Sequence, residues 1–149
     1  MMKSKIRQDM YFVILLILSI LLHFIFPIKR LLFSPYTYFG FLFIVFGIIL
    51  NIWTDLLFKK NKTTVKPYRN PTELITSGPF RISRHPMYLG MMLILLGIAI
   101  VHGTLITFAF PIIFIILMEL FFIPYEEKNL ERISGRKYLS YKKRVRRWL

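Results

Sequence analysis

The sequence predicts an all-α polytopic membrane protein, with about four transmembrane helices followed by an amphipathic helical tail. The 149 residues are 56% hydrophobic, 17% aromatic and 19% charged, which is too apolar for an ordinary soluble domain and too short for a second domain. The formal net charge of +14, combined with long apolar runs, favours an anionic membrane surface over nucleic acid as the partner. Because there is no cysteine, a disulfide framework, a thiolate metal site and a cysteine nucleophile are excluded, and we predict no metal site.

The first predicted helix covers residues 11–28, which carry no formal charge. At 1.5 Å per residue they span about 27 Å, close to the roughly 30 Å of a hydrocarbon core. The sequence at the end of this segment offers no small-residue cleavage site, so we expect a retained helix rather than a signal peptide. His23 near its end is expected to be an interfacial hydrogen-bonder rather than a ligand.

Helices two and three are predicted over residues 36–58 and from Pro86 to residue 101 or 102. Each carries two glycines seven residues apart, which lie on one face of a helix and let another backbone approach closely. We therefore expect helices two and three to pack through these faces; the glycines are Gly40 and Gly47, and Gly90 and Gly97.

Two acidic residues near helix ends need partners. Asp55, which continues the glycine face of helix two with Asn51, is either a structural partner for a loop lysine or a site residue. Glu119 lies near the end of helix four, predicted over residues 105–123 and bent at Pro111. The loop at 59–84 has three prolines among evenly spaced apolar residues, which indicates an ordered, partly buried loop.

Charge placement predicts the orientation. With four spans, 19 of the 21 basic residues fall on one side, so both termini and the long loop are expected in the cytoplasm. From residue 125 the chain becomes amphipathic, with a short helix at 126–134 ended by Gly135 and a second helix carrying aromatic residues among cations. We expect this tail at the interface, with aromatics in the headgroup layer and cations on anionic lipid; the aromatics are Tyr138, Tyr141 and Trp148.

One membrane-embedded domain, 1–149, is the predicted organisation. Residues 1–60 form helices one and two, 61–85 a cytoplasmic loop, 86–124 a helical hairpin and 125–149 the tail. The chain's acidic pair, Glu126 and Glu127, is then on the same side as the polar loop that ends at Arg84 and His85. Alone, these residues fit a helix start, membrane anchors and first-turn carboxylates, but together they indicate a site.

Two motifs resemble one family. The RHPxYxG element contains Arg84, His85, Pro86, Tyr88 and Gly90, and the EExxL element contains Glu126, Glu127 and Leu130. With Gly78, Pro79 and Phe80 before them and GRKYLSYKKRV after them, they resemble the isoprenylcysteine carboxyl methyltransferase family and its phospholipid methyltransferase relatives. The resemblance covers residues 66–148, about half of the chain.

The resemblance implies an integral membrane enzyme that uses S-adenosylmethionine without a Rossmann sheet. Arg84, His85, Glu126 and Glu127 are the implied catalytic residues. The implied cofactor contacts are Thr72, Glu73, Leu74, Ile75, Phe80, His85, Pro86, Met87, Tyr88, Glu126 and Leu130. The ammonium group of the cofactor needs an acidic partner, which Glu126 could supply, and its carboxylate needs hydrogen-bond donors, which the Arg84 and His85 region could supply. Its sulfonium favours an aromatic wall, which Tyr88 and Phe80 could form.

The acceptor side departs from the family pattern. The prenylcysteine enzymes have an arginine about one turn before the acidic pair, where this sequence has Phe122. Candidate substrate residues are therefore Phe122, Arg132, Tyr141 and Arg144, and a lipophilic small molecule, a prenylated substrate or a phospholipid-type acceptor are equally open. An amine acceptor would need a base, for which Glu126, Glu127 or His85 are candidates.

Two other classes of function stay open at this stage. One is a related membrane enzyme that reduces a lipid with NADPH. The other is a non-enzymatic four-helix transporter or membrane assembly factor, for which Asp55 would be the residue to test.

Overall fold

The computed structural model describes residues 8–61 and 74–149. These residues form five helices: α1 (Gln8–Ile25), α2 (Phe39–Lys60), α3 (Pro86–His102), α4 (Leu105–Leu117) and α5 (Ile123–Arg144). Short 3-10 turns at Tyr36–Tyr38 and Gly78–Arg81 precede α2 and α3, and one π-helical turn, Met118–Phe122, joins α4 to α5. Within the described ranges there is no named strand, so the predicted all-α class is confirmed.

Three stretches among the described residues are long and apolar enough to cross a membrane: Gln8–Ile25, Tyr36–Lys60 and Leu105–Arg144. The 17 residues of α3 form a shorter apolar helix, about 26 Å long. Much of α2 is both apolar and exposed, as expected of a helix that contacts lipid. The chain is therefore an integral membrane protein.

The predicted glycine packing between α2 and α3 is confirmed. A Cβ atom on Gly97 would lie 2.6 Å from the carbonyl oxygen of Gly40, and one on Gly47 would lie 2.5 Å from that of Gly90. Real Cβ atoms do not approach other heavy atoms this closely, so only glycine lets the two backbones touch. This contact fixes α3, and with it the residues at its start.

The opposite side of α3 packs against α1 and α4. Tyr11 and Phe12 of α1 form edge-to-face contacts with Phe122 and Phe114. These contacts bury a continuous apolar core made of Leu15, Tyr88, Met91, Leu95, Phe110, Phe114, Met118, Phe122 and Ile123.

The α3–α4 turn is closed by contacts with α1 and with the chain that follows α1. Gly103 adopts φ +66°, and a Cβ atom there would lie 2.5 Å from the Leu32 carbonyl oxygen. His23 Nδ1 lies 3.2 Å from Thr104 Oγ1, and its ring is 4.2 Å from the ring of His102. The prediction that His23 is a hydrogen-bonding residue is confirmed.

Two expectations for the second half are wrong. Helix four was expected to end at residue 123, but the π-helical turn carries the helix directly into α5. Pro124 does not end the helix because it lies in the first turn of α5, a position that proline tolerates. Tyr138 and Tyr141 were expected among lipid headgroups, but they are buried against Phe80. The predicted stop at Gly135 is confirmed, since this residue has φ +46° and interrupts α5.

Candidate functional site

The loop before α3 places one side of the site. Gly78 adopts φ +59°, and the turn Gly78–Arg81 that follows buries Phe80. Pro86 occupies the first turn of α3, so His85 is the last residue before the helix and its side chain is buried. Tyr88, one turn later, stacks on His85 with ring centroids 5.5 Å apart and 9° between the ring planes.

The acidic pair supplies the other side from the first turn of α5. Glu127 is buried, with its side chain 4% exposed, and its carboxylate is surrounded by cations. Arg84 Nη1 lies 2.9 Å from Oε1, and Arg147 donates from Nε to Oε1 at 3.2 Å and from Nη2 to Oε2 at 3.0 Å. Lys142 Nζ lies 3.7 Å from Oε2. Two arginines thus compensate the burial of this carboxylate.

Glu126 has a different environment. His85 Nδ1 lies 3.3 Å from its Oε2, and the Tyr88 hydroxyl donates to its Oε1. Its side chain is 19% exposed, against 4% for Glu127. Glu126 is therefore the carboxylate of the pair that is more accessible from outside.

The charge of His85 depends on the same pair. Burial acts to lower the pKa of His85, but the close approach of the Glu126 and Glu127 carboxylates and their negative charges outweigh it, so this pKa is raised above its usual value of 6.5. His85 Nε2 lies 3.6 Å from Glu127 Oε1, too far for a hydrogen bond. The Nδ1 atom of the imidazole thus contacts Glu126, and the Nε2 atom faces Glu127 without a hydrogen bond.

Residues 145–148, which we call the C-terminal segment, complete the site. The Arg84 amide donates to the Arg146 carbonyl oxygen at 2.9 Å, and the Ser83 hydroxyl donates to that of Arg147 at 2.7 Å. Arg147 Nη1 and Trp148 Nε1 both donate to Glu119, at 2.8 and 2.7 Å. Glu119 therefore has the partners that the sequence required.

Sequence reasoning missed Ser83, Arg147 and Trp148 as site residues. A signal for Arg147 was available, because a carboxylate at Glu119 needed a cation and the tail contained a surplus of them. No pattern in the sequence distinguished Arg147 from the neighbouring Arg144 and Arg146. The spatial path of the residues after α5 decides which arginine reaches the acidic pair.

The structure brings together most of the predicted site residues. Arg84, His85, Tyr88, Glu126 and Glu127 meet directly. Tyr141 donates to the Phe80 carbonyl oxygen at 2.6 Å, which ties the tail to the loop. The apolar residues packed around Phe80, Tyr138 and Tyr141 include Leu74, Ile75 and Leu130. Pro86 starts α3 beside His85, and Met87 is half-buried in the same turn.

Other predicted residues lie apart from this cluster. Phe122 is buried in the helical core against Tyr11. Arg132 is exposed and donates to Asn129 at 3.1 Å. Arg144 lines an open cleft of about 490 Å³, shared with Arg84, Glu119 and the C-terminal segment. The predicted contacts Thr72 and Glu73 lie outside the described residues.

Comparison with known proteins identifies the family. Residues 36–137, more than half of the chain, match the phospholipid methyltransferase family. Protein-S-isoprenylcysteine O-methyltransferase B of Arabidopsis thaliana is 36% identical over 76 residues, which are 49% of this chain and 37% of the Arabidopsis protein. An uncharacterized protein of Haemophilus influenzae is 43% identical over 63 residues, 42% of this chain and 100% of that protein. The chain belongs to the phospholipid methyltransferase family.

Proposed function

We propose that the protein transfers a methyl group from S-adenosylmethionine to a lipophilic acceptor. The observation that carries the proposal is the meeting of the His85–Tyr88 pair with Glu126, because this combination joins the two motifs of a methyltransferase family in one site.

The side chains fit the cofactor chemically. Glu126 is a partly exposed carboxylate, suited to an ammonium group. Tyr88, which contacts Glu126, provides the aromatic surface that suits a sulfonium, whereas Phe80 lies in a separate apolar cluster with Tyr138 and Tyr141. Arg84, although paired with Glu127, lines the open cleft and supplies positive charge for a carboxylate. The cofactor, when bound, supplies an electrophilic methyl group.

The protein's own contribution is chiefly alignment. Methyl transfer is an in-line displacement, so holding donor and acceptor in one geometry contributes more than acid or base assistance. His85 and Tyr88 fix both oxygens of Glu126 and so orient the carboxylate proposed to hold the cofactor. An amine acceptor would also need a base; Glu126 suits this role better than Glu127, whose charge is compensated by two arginines, and better than His85, whose pKa is raised.

The acceptor is proposed by class. The Arabidopsis relative is named for isoprenylcysteine, and the match spans about a third of its length, so a prenylcysteine-type carboxylate and a phospholipid or amine group both stay as candidates. Of the two arginines suggested by sequence, Arg144 is better placed for an anionic acceptor, because it lines the cleft. We propose lateral entry between helices, a cytoplasmic location for both termini, and contact of the tail with anionic lipids.

Cofactor binding tests the proposal. Purified protein in detergent should bind S-adenosylmethionine saturably by calorimetry, and E126A and H85A should lose this binding while keeping their helical circular dichroism spectrum. E131Q, which changes a carboxylate outside the His85–Tyr88 cluster, is the matched control. Unchanged binding in E126A and H85A contradicts the proposal. Binding of NADPH in place of S-adenosylmethionine favours the reductase alternative.

The acceptor is identified separately. Protein is incubated with methyl-labelled cofactor and a total lipid extract, and the labelled product is identified by mass. A labelled ester indicates a carboxylate acceptor and a labelled amine indicates N-methylation.

The transporter alternative gains no support from Asp55, which pairs with Lys59 on the same helix at 2.6 Å.

A further inference from the structure

Arg147 is the residue that joins the two acidic positions of the second half. Its Nε and Nη2 donate to the two oxygens of Glu127, and its Nη1 donates to Glu119. Such a planar, two-pronged contact fixes the orientation of a carboxylate, which a lysine ammonium cannot do. The guanidinium thus determines how the Glu127 carboxylate is turned.

The orientation of Glu127 has a consequence for His85. Glu127 Oε1 is approached by Arg84 at 2.9 Å and by Arg147 at 3.2 Å, while His85 Nε2 stays 3.6 Å away. With these two cations on Oε1, the histidine contacts Glu126 more closely than Glu127. Removing the Arg147 guanidinium leaves Arg84 on Oε1 but releases the orientation of the carboxylate, so that Glu127 can turn to accept from His85 Nε2 while Nδ1 still faces Glu126.

The C-terminal segment is held by contacts other than those of the Arg147 guanidinium. The segment is also held through main-chain oxygens, by the Arg84 amide and the Ser83 hydroxyl, and through Trp148 to Glu119. Substituting the Arg147 side chain removes neither main-chain contact. Its effect on the site can therefore be measured in a protein whose C-terminal segment is still bound.

We propose that Arg147 is a positioning residue that holds Glu127 away from His85 Nε2, so that Glu126, at Nδ1, is the carboxylate that orients the imidazole. The effect on catalysis rests on the proposed methyltransferase function, whereas the effect on His85 does not. In the catalytic setting, Arg147 acts through Glu127 and His85 on the carboxylate proposed to bind the cofactor.

Histidine titration by NMR tests the proposal without any ligand. The pKa of His85 is measured in labelled wild-type protein and in R147A, R147K and R146A, with assignment by H85Q. We expect an upward shift in R147A, since a nearby positive charge is lost and Glu127 becomes available to the imidazole. R147K, which keeps the charge and loses the two-pronged contact, should shift less. R146A should match the wild type, because within the described residues Arg146 forms no ion pair through its side chain.

The signals of His23 and His102, at the other end of α3, report whether each variant keeps its fold. If R147A does not fold, the difference in His85 pKa between R147K and R146A still tests the proposal. A His85 titration unchanged by loss or replacement of the guanidinium overturns the proposal.

Cofactor affinity is the second measurement. R147A is expected to bind S-adenosylmethionine about tenfold more weakly, the equivalent of one charged hydrogen bond, with R147K between R147A and wild type. If the wild-type protein binds no S-adenosylmethionine, the proposed function fails and the His85 titration still decides the positioning role. If the wild type binds and R147A binds equally well, the positioning role fails alone.

Discussion

The α2–α3 interface and the cluster around the acidic pair each join distant parts of the chain, and they do so by opposite physics. At the interface, glycine backbones touch, with carbonyl oxygens where side chains would otherwise stand. In the cluster, carboxylates are held by arginines, a histidine and a tyrosine. The first contact depends on volume and the second on charge.

This difference divides the work along α3. Gly90 and Gly97 fix the helix against α2, and neither changes its charge with pH. His85 and Tyr88 at the start of the helix make polar contacts that depend on protonation. The scaffold should therefore resist changes of pH and fail when atoms are added, and the site should be the region that responds to pH.

The largest expected effect comes from adding volume at the interface. G97L would place side-chain atoms against the Gly40 carbonyl oxygen and Ile44, and backbone cannot move aside as a side chain can. We expect a loss of at least about 3 kcal/mol in the free energy of unfolding, measured by reversible SDS titration in mixed micelles, with G97A losing less. I48L, on the exposed face of α2, is the control. Equal stability of G97L and I48L would show that the contact is looser than described.

Removing charge in the cluster should have the next largest effect. E127Q keeps the shape of the side chain but leaves Arg84, whose side chain is 8% exposed, without its carboxylate. We expect a loss of about 3 kcal/mol in the same titration, because an uncompensated buried charge is costly. E131Q breaks the more exposed pair with Lys142 and should lose about 1 kcal/mol or less. A loss in E127Q no greater than in E131Q would mean that Glu127 does not compensate Arg84.

The pH dependence of the site follows from His85. Its pKa is raised in the folded protein, so protonated His85 stabilises the fold fully below the unfolded value of 6.5, and this stabilisation is lost as pH rises through the folded pKa. The stability difference between wild type and H85Q should therefore shrink as the pH rises above 6.5. The loss of unfolding free energy in G97A relative to wild type should be the same across that range. A difference between wild type and H85Q that grows with pH would contradict the assigned charge.

The smallest effect is expected at Asp55. Its pair with Lys59 is solvent-accessible, with Lys59 71% exposed, and such pairs contribute little. D55N should change the free energy of unfolding by no more than about 0.5 kcal/mol and leave the proposed methyl transfer unchanged. K59Q, which removes the other partner of this pair, should change the free energy of unfolding equally little. A large loss of activity in D55N alone would return Asp55 to the list of site residues.

The two regions also differ in how far the sequence predicted them. Glycines spaced at seven residues predicted the α2–α3 contact correctly, because helical periodicity converts spacing into a shared face. The RHPxYxG and EExxL motifs predicted that His85, Tyr88 and Glu126 meet. The choice of Arg147 over Arg132 and Arg144 was beyond the sequence, since the break at Gly135 and the extended backbone at Val145 set where the tail goes. The burial of Tyr138 and Tyr141 was missed for the same reason, because an amphipathic pattern does not say whether protein or lipid covers the apolar face.

The π-helical turn at Met118–Phe122 sets the phase between the membrane part of the fourth helix and the acidic pair. Each residue of an α-helix turns the side chains by about 100°, so one residue more or fewer in this turn would rotate Glu126 and Glu127 away from His85. The length of the segment is therefore as constrained as its buried residues, Met118 and Phe122. Among relatives, substitutions should accumulate at the exposed Leu120 and Phe121 far more readily than insertions or deletions within these five residues.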